Sequence, residues 1–373
     1  MRIAILGTRG IPAHYGGFET FAEELGTRLA LTGNSVAVYC RERPRESRWR
    51  GVELRYLPTI RHKYFDTLAH TFLSTLHLLF HRPDVALYCN AANAVFTPLA
   101  RLAGIPVALN VDGIERRRKK WNRLAKAWYL ASEWLATFLP TAVVTDAQVI
   151  ADYYRERYHK TTHFIPYGAE IGKVETADTL RSLGLEPCRY FLYVSRMEPE
   201  NHALEVRQAF ETVETAMKMA LIGDAPYSTD YIRLVRDTND PRIIMPGGIY
   251  GRGYQELGSH CFAYIHATTV GGTHPALIEA MGRGALVLYR DTEENSEVVA
   301  SAGIAFGESD LAAKIGRVLT MSDGERNEFR RRAVERVRER YSWDAVTADY
   351  ERLFRRLAPA RAVAPKRRVG VDN

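Results

Sequence analysis

The chain has 373 residues, 46% apolar and 25% charged, which is enough for about two ordinary globular domains and incompatible with a disordered or fibrous protein. Its four cysteines, Cys40, Cys89, Cys188 and Cys261, lie far apart without a CxxC pair, which argues against a disulfide framework and a zinc site and suits a reducing cytoplasm. The formal charge of +7 is uneven: residues 1–165 hold 23 Lys and Arg against 14 Asp and Glu, a net of +9 that leaves −2 for the rest. The first half is therefore expected to face something anionic.

The opening MRIAILGTRG has one Arg ahead of a short apolar run ending in glycine, the pattern of a buried first strand and not of a signal peptide. Runs of the same type recur at 2–7, 35–40, 84–89, 106–111, 141–145 and 163–168. After a polar stretch at 170–178 the series restarts at 190–195, 219–223, 242–247, 262–267, 285–289 and 303–307, with mixed helical segments between the strands. Continuous apolar strands alternating with helices predict parallel sheets covered on both faces. Two such series predict two doubly wound α/β domains, 1–168 and 169–338, with ligands in the cleft where the carboxyl ends of both sheets meet. A strongly charged helix at 323–340 and a further helical stretch at 343–357 follow, and residues 359–373, rich in Pro, Ala and Arg, read as a disordered basic tail. The segments 67–80 and 127–144 come nearest to a membrane span, and both fall short of about 20 uninterrupted apolar residues.

Between the first strand and a helix expected from Phe18 lie Gly7, Gly10, Gly16 and Gly17. Glycines there let backbone approach an anion closely, or they merely shape a loop. The spacing is not GxGxxG and no acidic residue closes a second strand about 20 residues on, so a nicotinamide cofactor is poorly supported. In the second half, the strand at 190–195 delivers Arg196 into RMEPEN, and the strand at 262–267 delivers TTVGGTHPALIEAM, where Val270, Gly271, Gly272 and Thr273 precede a helix started by Pro275. Amides of that loop and helix end suit a diphosphate, with Arg196 as the fixed positive charge. Glu279, one turn inside the helix, is placed to accept hydrogen bonds from ribose hydroxyls; the plainer alternative is a solvent-facing helix residue.

On the acceptor side, Asp112 and Gly113 end the strand at 106–111 and point toward the cleft. Asp112 either orients or deprotonates an acceptor hydroxyl, or caps the following helix. Asn90 and Asn93, after the strand at 84–89, and His70, in an apolar helix where a core role is commoner, are weaker candidates. The basic run 116–120 leads into a segment in which Trp121, Leu124, Trp128 and Leu135 recur at helical spacing, with Arg123 and Lys126 between them. Such a stripe lies on an anionic bilayer surface or packs into a core. No nucleic-acid recognition motif accompanies the basic residues.

A strand-end Arg paired with a glycine loop and an EAM helix resembles glycosyltransferase family 4 of the GT-B fold, and the resemblance spans nearly the whole chain. The segments ILGTRGIPAHYGGFET, NVDGIERRRKKW, RMEPEN and VGGTHPALIEAM are similar to a subgroup of bacterial rhamnosyltransferase-like enzymes of polysaccharide assembly. Two positions depart from the general family pattern: the first glutamate of its two-glutamate motif is replaced by Gly271, and its phosphate-binding Lys by Asn201. The resemblance implies two Rossmann-like domains facing a central cleft, with 339–358 carrying a helix back to the first domain. It implies a retaining enzyme without metal or other cofactor, using a nucleotide-diphospho-sugar donor and a lipid-linked or saccharide acceptor at the inner face of the cell membrane. The donor-binding set is then Gly16, Gly17, Arg196, Asn201, Val270, Gly271, Gly272, Thr273 and Glu279. Asp112, Arg196 and Glu279 are the catalytic candidates, and dTDP-rhamnose is the expected donor, with UDP-hexoses next. A sugar-nucleotide epimerase, an oxidoreductase and a non-catalytic membrane scaffold remain as alternatives.

Overall fold

The computed structural model describes residues 1–13, 16–43, 46–62, 64–118, 121–225 and 228–358. The first sheet contains β1 (Arg2–Leu6), β2 (Ser35–Cys40), β3 (Arg48–Trp49), β4 (Val52–Tyr56), β5 (Val85–Cys89), β6 (Val107–Asn110), β7 (Ala142–Thr145) and β8 (His163–Phe164). Their spatial order is β3-β4-β2-β1-β5-β6-β7-β8, parallel throughout except for β3 against β4. The second sheet contains β9 (Tyr190–Val194), β10 (Lys218–Ile222), β11 (Ile243–Gly247), β12 (Ala263–His266), β13 (Leu286–Arg290) and β14 (Gly303–Phe306), ordered β11-β10-β9-β12-β13-β14 and wholly parallel.

Apolar residues occupy successive positions of the central strands because helices cover both faces. Ile3 pairs with Val36 on one side and Val85 on the other, and Phe191 pairs with Met219 and Ala263, all of them buried. Strand order reverses beside β1 in the first sheet and beside β9 in the second. The carboxyl ends of β1 and β5, and of β9 and β12, therefore open onto the crevices where such sheets bind ligands.

The sequence reading passes over the β3–β4 hairpin. In β4, Val52 and Leu54 are buried while Glu53 and Arg55 are partly exposed, so the strand has one wet face and lacks the continuous apolar run of its neighbours. The strand expected over 163–168 is only His163–Phe164, since Pro166 has no N–H for a ladder. The helix expected from Phe18 begins at Gly17, with Gly16 as its N-cap residue. The tail 359–373 lies outside the described residues.

At the C-terminus, the helix Asp323–Arg340 opens on a capping box between Ser322 and Glu325 and packs on the helix Pro275–Gly282 of the second domain. The helix Trp343–Leu357 then crosses to the first domain and lies against the helix Gly17–Leu31. The Tyr350 hydroxyl accepts a hydrogen bond from Asn110 Nδ2 at 3.0 Å, the Tyr350 ring sits 5.5 Å from that of Phe21, and Thr32 donates to Glu351 at 2.6 Å. Full burial of Tyr350 and Phe354 contributes about 1.5–3 kcal/mol each. One apolar core thus continues from Ile3 and Phe21 through Tyr167 and Trp343 to Leu277 and Met281, beneath the cleft.

Candidate active site

β9 ends at Val194 and its continuation carries Arg196, whose side chain is 30% exposed and whose guanidinium lies 3.8 Å from Glu198 Oε2. Asn201 holds this loop together. Its Nδ2 donates to the carbonyl of Arg196 at 2.6 Å, its own carbonyl accepts from the Tyr193 hydroxyl at 2.7 Å, and its side chain is buried. Its amide nitrogen is thereby engaged in shaping the turn that presents Arg196.

β12 ends at His266 and runs into the loop that precedes the helix Pro275–Gly282, with His274 as N-cap residue and Pro275 at the first helical position. The loop glycines are required by close approaches. A Cβ on Gly271 would stand 2.3 Å from the His274 ring, and one on Gly272 would stand 2.2 Å from Asp146 Oδ1. Across the cleft a Cβ on Gly113 would stand 2.5 Å from the Gly271 carbonyl carbon. A side chain at position 271 would require the His274 ring to move aside, and with glycine there the polar contacts come from the backbone.

These contacts join the two domains at the strand ends. Thr273 donates its backbone N–H to Asp146 Oδ2 at 2.7 Å and its hydroxyl to the Asp146 carbonyl at 2.5 Å. Asp112, at positive φ (+58°), receives the Tyr167 hydroxyl at 3.3 Å and donates its own N–H to Asn110 Oδ1 at 3.0 Å. The carboxylates of Asp112 and Asp146 act on each other electrostatically, and Asp146 Oδ1 is buried without a hydrogen-bond partner. Burial and mutual repulsion raise Asp146 well above the ordinary carboxylate range, and burial with the charge of Glu115 raises Asp112. Burial and like charge both disfavour ionisation of such neighbouring carboxyls, so each keeps its proton to higher pH than an isolated carboxylate.

Glu279 is half-buried on the helix, and the Tyr254 hydroxyl donates to its Oε2 at 2.7 Å. Burial pushes its carboxyl up to about 6, against the lowering effects of Tyr254 and Arg283. It is not the solvent-facing residue of the plainer reading. Gly17 approaches the same helix from the first domain, its Cβ position 3.1 Å from Pro275 Cγ, and Gly16 caps the helix behind it.

The structure thus brings Gly17, half-buried Val270, Gly271, Gly272 and Glu279 to the start of one helix, with Arg196 after the neighbouring strand β9 and Asp112 next to Gly113, which abuts Gly271. Thr273, expected to bind donor, instead gives both its N–H and its hydroxyl to Asp146. Asn93 and His70 lie apart from that group, wholly buried inside the first domain. Asn93 Nδ2 donates to the Cys89 carbonyl at 2.7 Å, and burial lowers His70 to about 4, keeping its ring neutral. Asn90 caps a short turn by accepting from the Ala92 N–H at 2.9 Å. Sequence reasoning missed Asp146, Tyr254 and His274. Asp146 follows the strand at 141–145 just as Asp112 follows its own, and the same strand-end logic applies to both.

The basic run divides, with Lys119 and Lys120 outside the described residues. Arg116 pairs with buried Glu133 at 3.1 Å, Arg117 lies 3.7 Å from Glu294, and Arg118 is buried. The tryptophan stripe divides too. Trp121 turns inward, donating to Glu115 at 3.3 Å and packing on Tyr129, whereas on the helix Arg123–Ala136 Leu124 is 81% and Trp134 56% exposed. Among the described residues no helix is long and apolar enough to cross a membrane, and no group of three or more His, Cys, Asp or Glu side chains is placed to hold a metal ion.

The profile of glycosyltransferase family 4 matches residues 15–172, and a second profile, described as glycosyl transferase-like, matches residues 204–352. Among solved structures the chain is similar to sucrose-phosphate synthase from Thermosynechococcus elongatus, with a TM-score of 0.78 at 18% identity over 95% of this chain and 98% of that one. It is also similar to Anabaena HepE in complex with UDP-glucose (TM-score 0.75, 16% identity, 95% and 99% covered). A third likeness is to WaaG, a glycosyltransferase involved in lipopolysaccharide biosynthesis (0.69, 14%, 96% and 99%). No curated relative matches the sequence.

Proposed function

The chain is a glycosyltransferase of the GT-B fold whose first domain belongs to family 4, and from that premise we propose that it moves a sugar from a nucleotide-diphospho-sugar to a lipid-linked or saccharide acceptor with retention of configuration. The observation that carries this reading is the glycine loop at 270–272 opening onto the helix Pro275–Gly282 with Glu279 one turn inside it, while Arg196 follows β9, the neighbour of the strand that delivers that loop. The helix end and Arg196 stabilise the negative charge that develops on the leaving diphosphate, so no metal is needed to neutralise it. Glu279, oriented by Tyr254, accepts from the ribose hydroxyls, and Asp112 on the facing strand end orients the acceptor hydroxyl.

Gly271 supports a donor whose hydroxyls are held by amides, and dTDP-rhamnose suits that arrangement. Glycine at that position leaves no carboxylate to bind a hexose hydroxyl, and the His274 ring fills the space where a Cβ would stand. UDP-hexose is the second reading, favoured by the likeness to HepE bound to UDP-glucose. Assay of dTDP-rhamnose, UDP-glucose and UDP-galactose in competition, on membranes carrying acceptor, separates the two. At least tenfold preference for dTDP-rhamnose is expected, which needs only about 1.4 kcal/mol of differential transition-state binding. A preference for either UDP-hexose assigns the second reading.

The acceptor is brought from an anionic membrane surface. Leu124 and Trp134 on the helix Arg123–Ala136 are exposed together with Arg123 and Lys126 of the same helix, the combination that binds a charged bilayer interface.

A further inference from the structure

Building on the donor site proposed above, we infer that Arg118 of the first domain is a further donor-binding residue, reaching across the cleft to hold the distal phosphate of a nucleoside diphosphate. The second domain offers Arg196 as a fixed cation, while Asn201 is neutral and occupied by the Arg196 carbonyl. A diphosphate at the helix start calls for more positive charge than one guanidinium provides.

Arg118 is where such a charge is needed. Its guanidinium and that of Arg196 both act on the Asp112 carboxyl and both disfavour a proton on His274, the residue that caps the helix Pro275–Gly282. Geometrically, Arg118 reaches from the first domain to the loop that carries Arg196: its Nη1 lies 3.6 Å from Glu200 Oε1, and the Glu200 carbonyl accepts from the Thr269 N–H at 3.1 Å, just ahead of the glycine loop. Arg118 is also incompletely used: Nε donates to Glu115 Oε1 at 2.6 Å, but Nη1, buried, donates no hydrogen bond and stops 3.6 Å from Glu200 Oε1. Glu200 is 1% exposed and neither of its carboxylate oxygens accepts a hydrogen bond. A buried guanidinium and a buried carboxylate that face each other beyond bonding distance leave donors and acceptors unsatisfied on both sides.

The turn Pro199–Asn201 that carries Glu200 belongs to the same loop as Arg196. One loop thus sets Glu198 loosely against Arg196, at 3.8 Å, and Glu200 loosely against Arg118. The carboxylates occupy the arginines in place of a stronger anion. A phosphate presents more oxygens and more charge to a planar fork of donors than Glu200 does at 3.6 Å, so it displaces the carboxylate as partner. Because Arg118 arrives from the acceptor side, next to Asp112, its phosphate is the one bonded to the sugar. Engagement of that phosphate then ties donor binding to closure of the cleft.

The test is calorimetric titration of the full chain with UDP and UMP, and with dTDP and dTMP, in wild type, Arg118→Gln, Arg118→Lys and Glu200→Gln. Wild type is expected to bind one diphosphate at least tenfold more tightly than its monophosphate. Arg118→Gln collapses that ratio about tenfold while monophosphate affinity stays within twofold, and Arg118→Lys, which keeps the charge but not the fork, retains part of it. Glu200→Gln, by removing the competing carboxylate, tightens the diphosphate. A purely structural Arg118 predicts instead an unchanged ratio in every variant that folds, together with weaker binding in Glu200→Gln, and either result overturns the inference while leaving the donor site in place. Absence of any diphosphate preference in wild type overturns the donor site and the inference with it.

Discussion

The two halves of the cleft are built differently. In the second domain the site is local: a strand end delivers Arg196, a second strand end delivers the glycine loop, and the following helix places Glu279 one turn later. In the first domain the contributing groups come from separate places, Asp112 after β6, Asp146 after β7 and Arg118 after a turn at Glu115–Arg117, and they meet only because β6 and β7 are neighbours facing the glycine loop. The donor half is consequently a contiguous arrangement that tolerates changes in its partner, whereas the acceptor half depends on the closed interface.

The sharpest way to break this contrast is Arg196→Ala. If the leaving diphosphate is stabilised chiefly from the donor half, kcat falls about 100-fold or more with the protein still folded, and lysine rescues only in part. Full turnover in the alanine variant would mean that the first domain carries the chemistry alone.

Glu279→Gln comes next. Loss of the charged acceptor reduces donor affinity by about 1.5–3 kcal/mol, since hydrogen bonds to charged groups are of that size. The same residue provides a pH signature. With its carboxyl raised to about 6 by burial, donor affinity in wild type increases as pH rises through 6, and that step is missing from Glu279→Gln when both are titrated between pH 5 and 8. An identical profile in the two proteins would remove Glu279 from the ribose.

A third measurement concerns the outer face of the acceptor half. Replacing Leu124 and Trp134 by Ser removes exposed apolar surface without touching the core, so vesicle binding weakens at low and high salt alike. Replacing Arg123 and Lys126 by Ser removes only the salt-sensitive part, about 1 kcal/mol per charge at low ionic strength. Equal partitioning of all variants onto anionic vesicles would show that this face does not meet the bilayer.

The smallest effect is expected at the carboxyl pair of the first domain. Asp146 has a raised folded value, so below the unfolded value, about 3.9, it is protonated in both states and carries no penalty. As pH climbs above that, the unfolded chain ionises while the folded pair resists, and stability declines until pH passes the raised value. Asp146→Asn removes this slope. A difference in unfolding free energy between wild type and variant that stays flat from pH 4 to 8 would show that Asp112 and Asp146 are not repelling each other.

Much of this was legible beforehand. Eleven of the twelve apolar runs became strands of nearly the expected length, because a strand buried on both faces must be apolar at every position. The twelfth stopped at Phe164, and the β3–β4 hairpin escaped notice because a strand with one wet face carries a weaker pattern. The placement of Arg196 and the glycine loop followed from adjacency in the chain.

What the sequence determined by itself was therefore local: which segments pair as parallel strands, where a helix begins after glycines, and that a side chain is missing at position 271. The tertiary structure decided the rest, because distance across the cleft is not written in sequence spacing. It turned Arg116 and Arg118 of one basic run inward onto carboxylates, engaged Asn201 in bracing its own loop, and set Asp146 against an amide 127 residues away. Charge is free to point either way on a surface, and only the packing of two domains fixes which guanidinium loses its water and must find an anion.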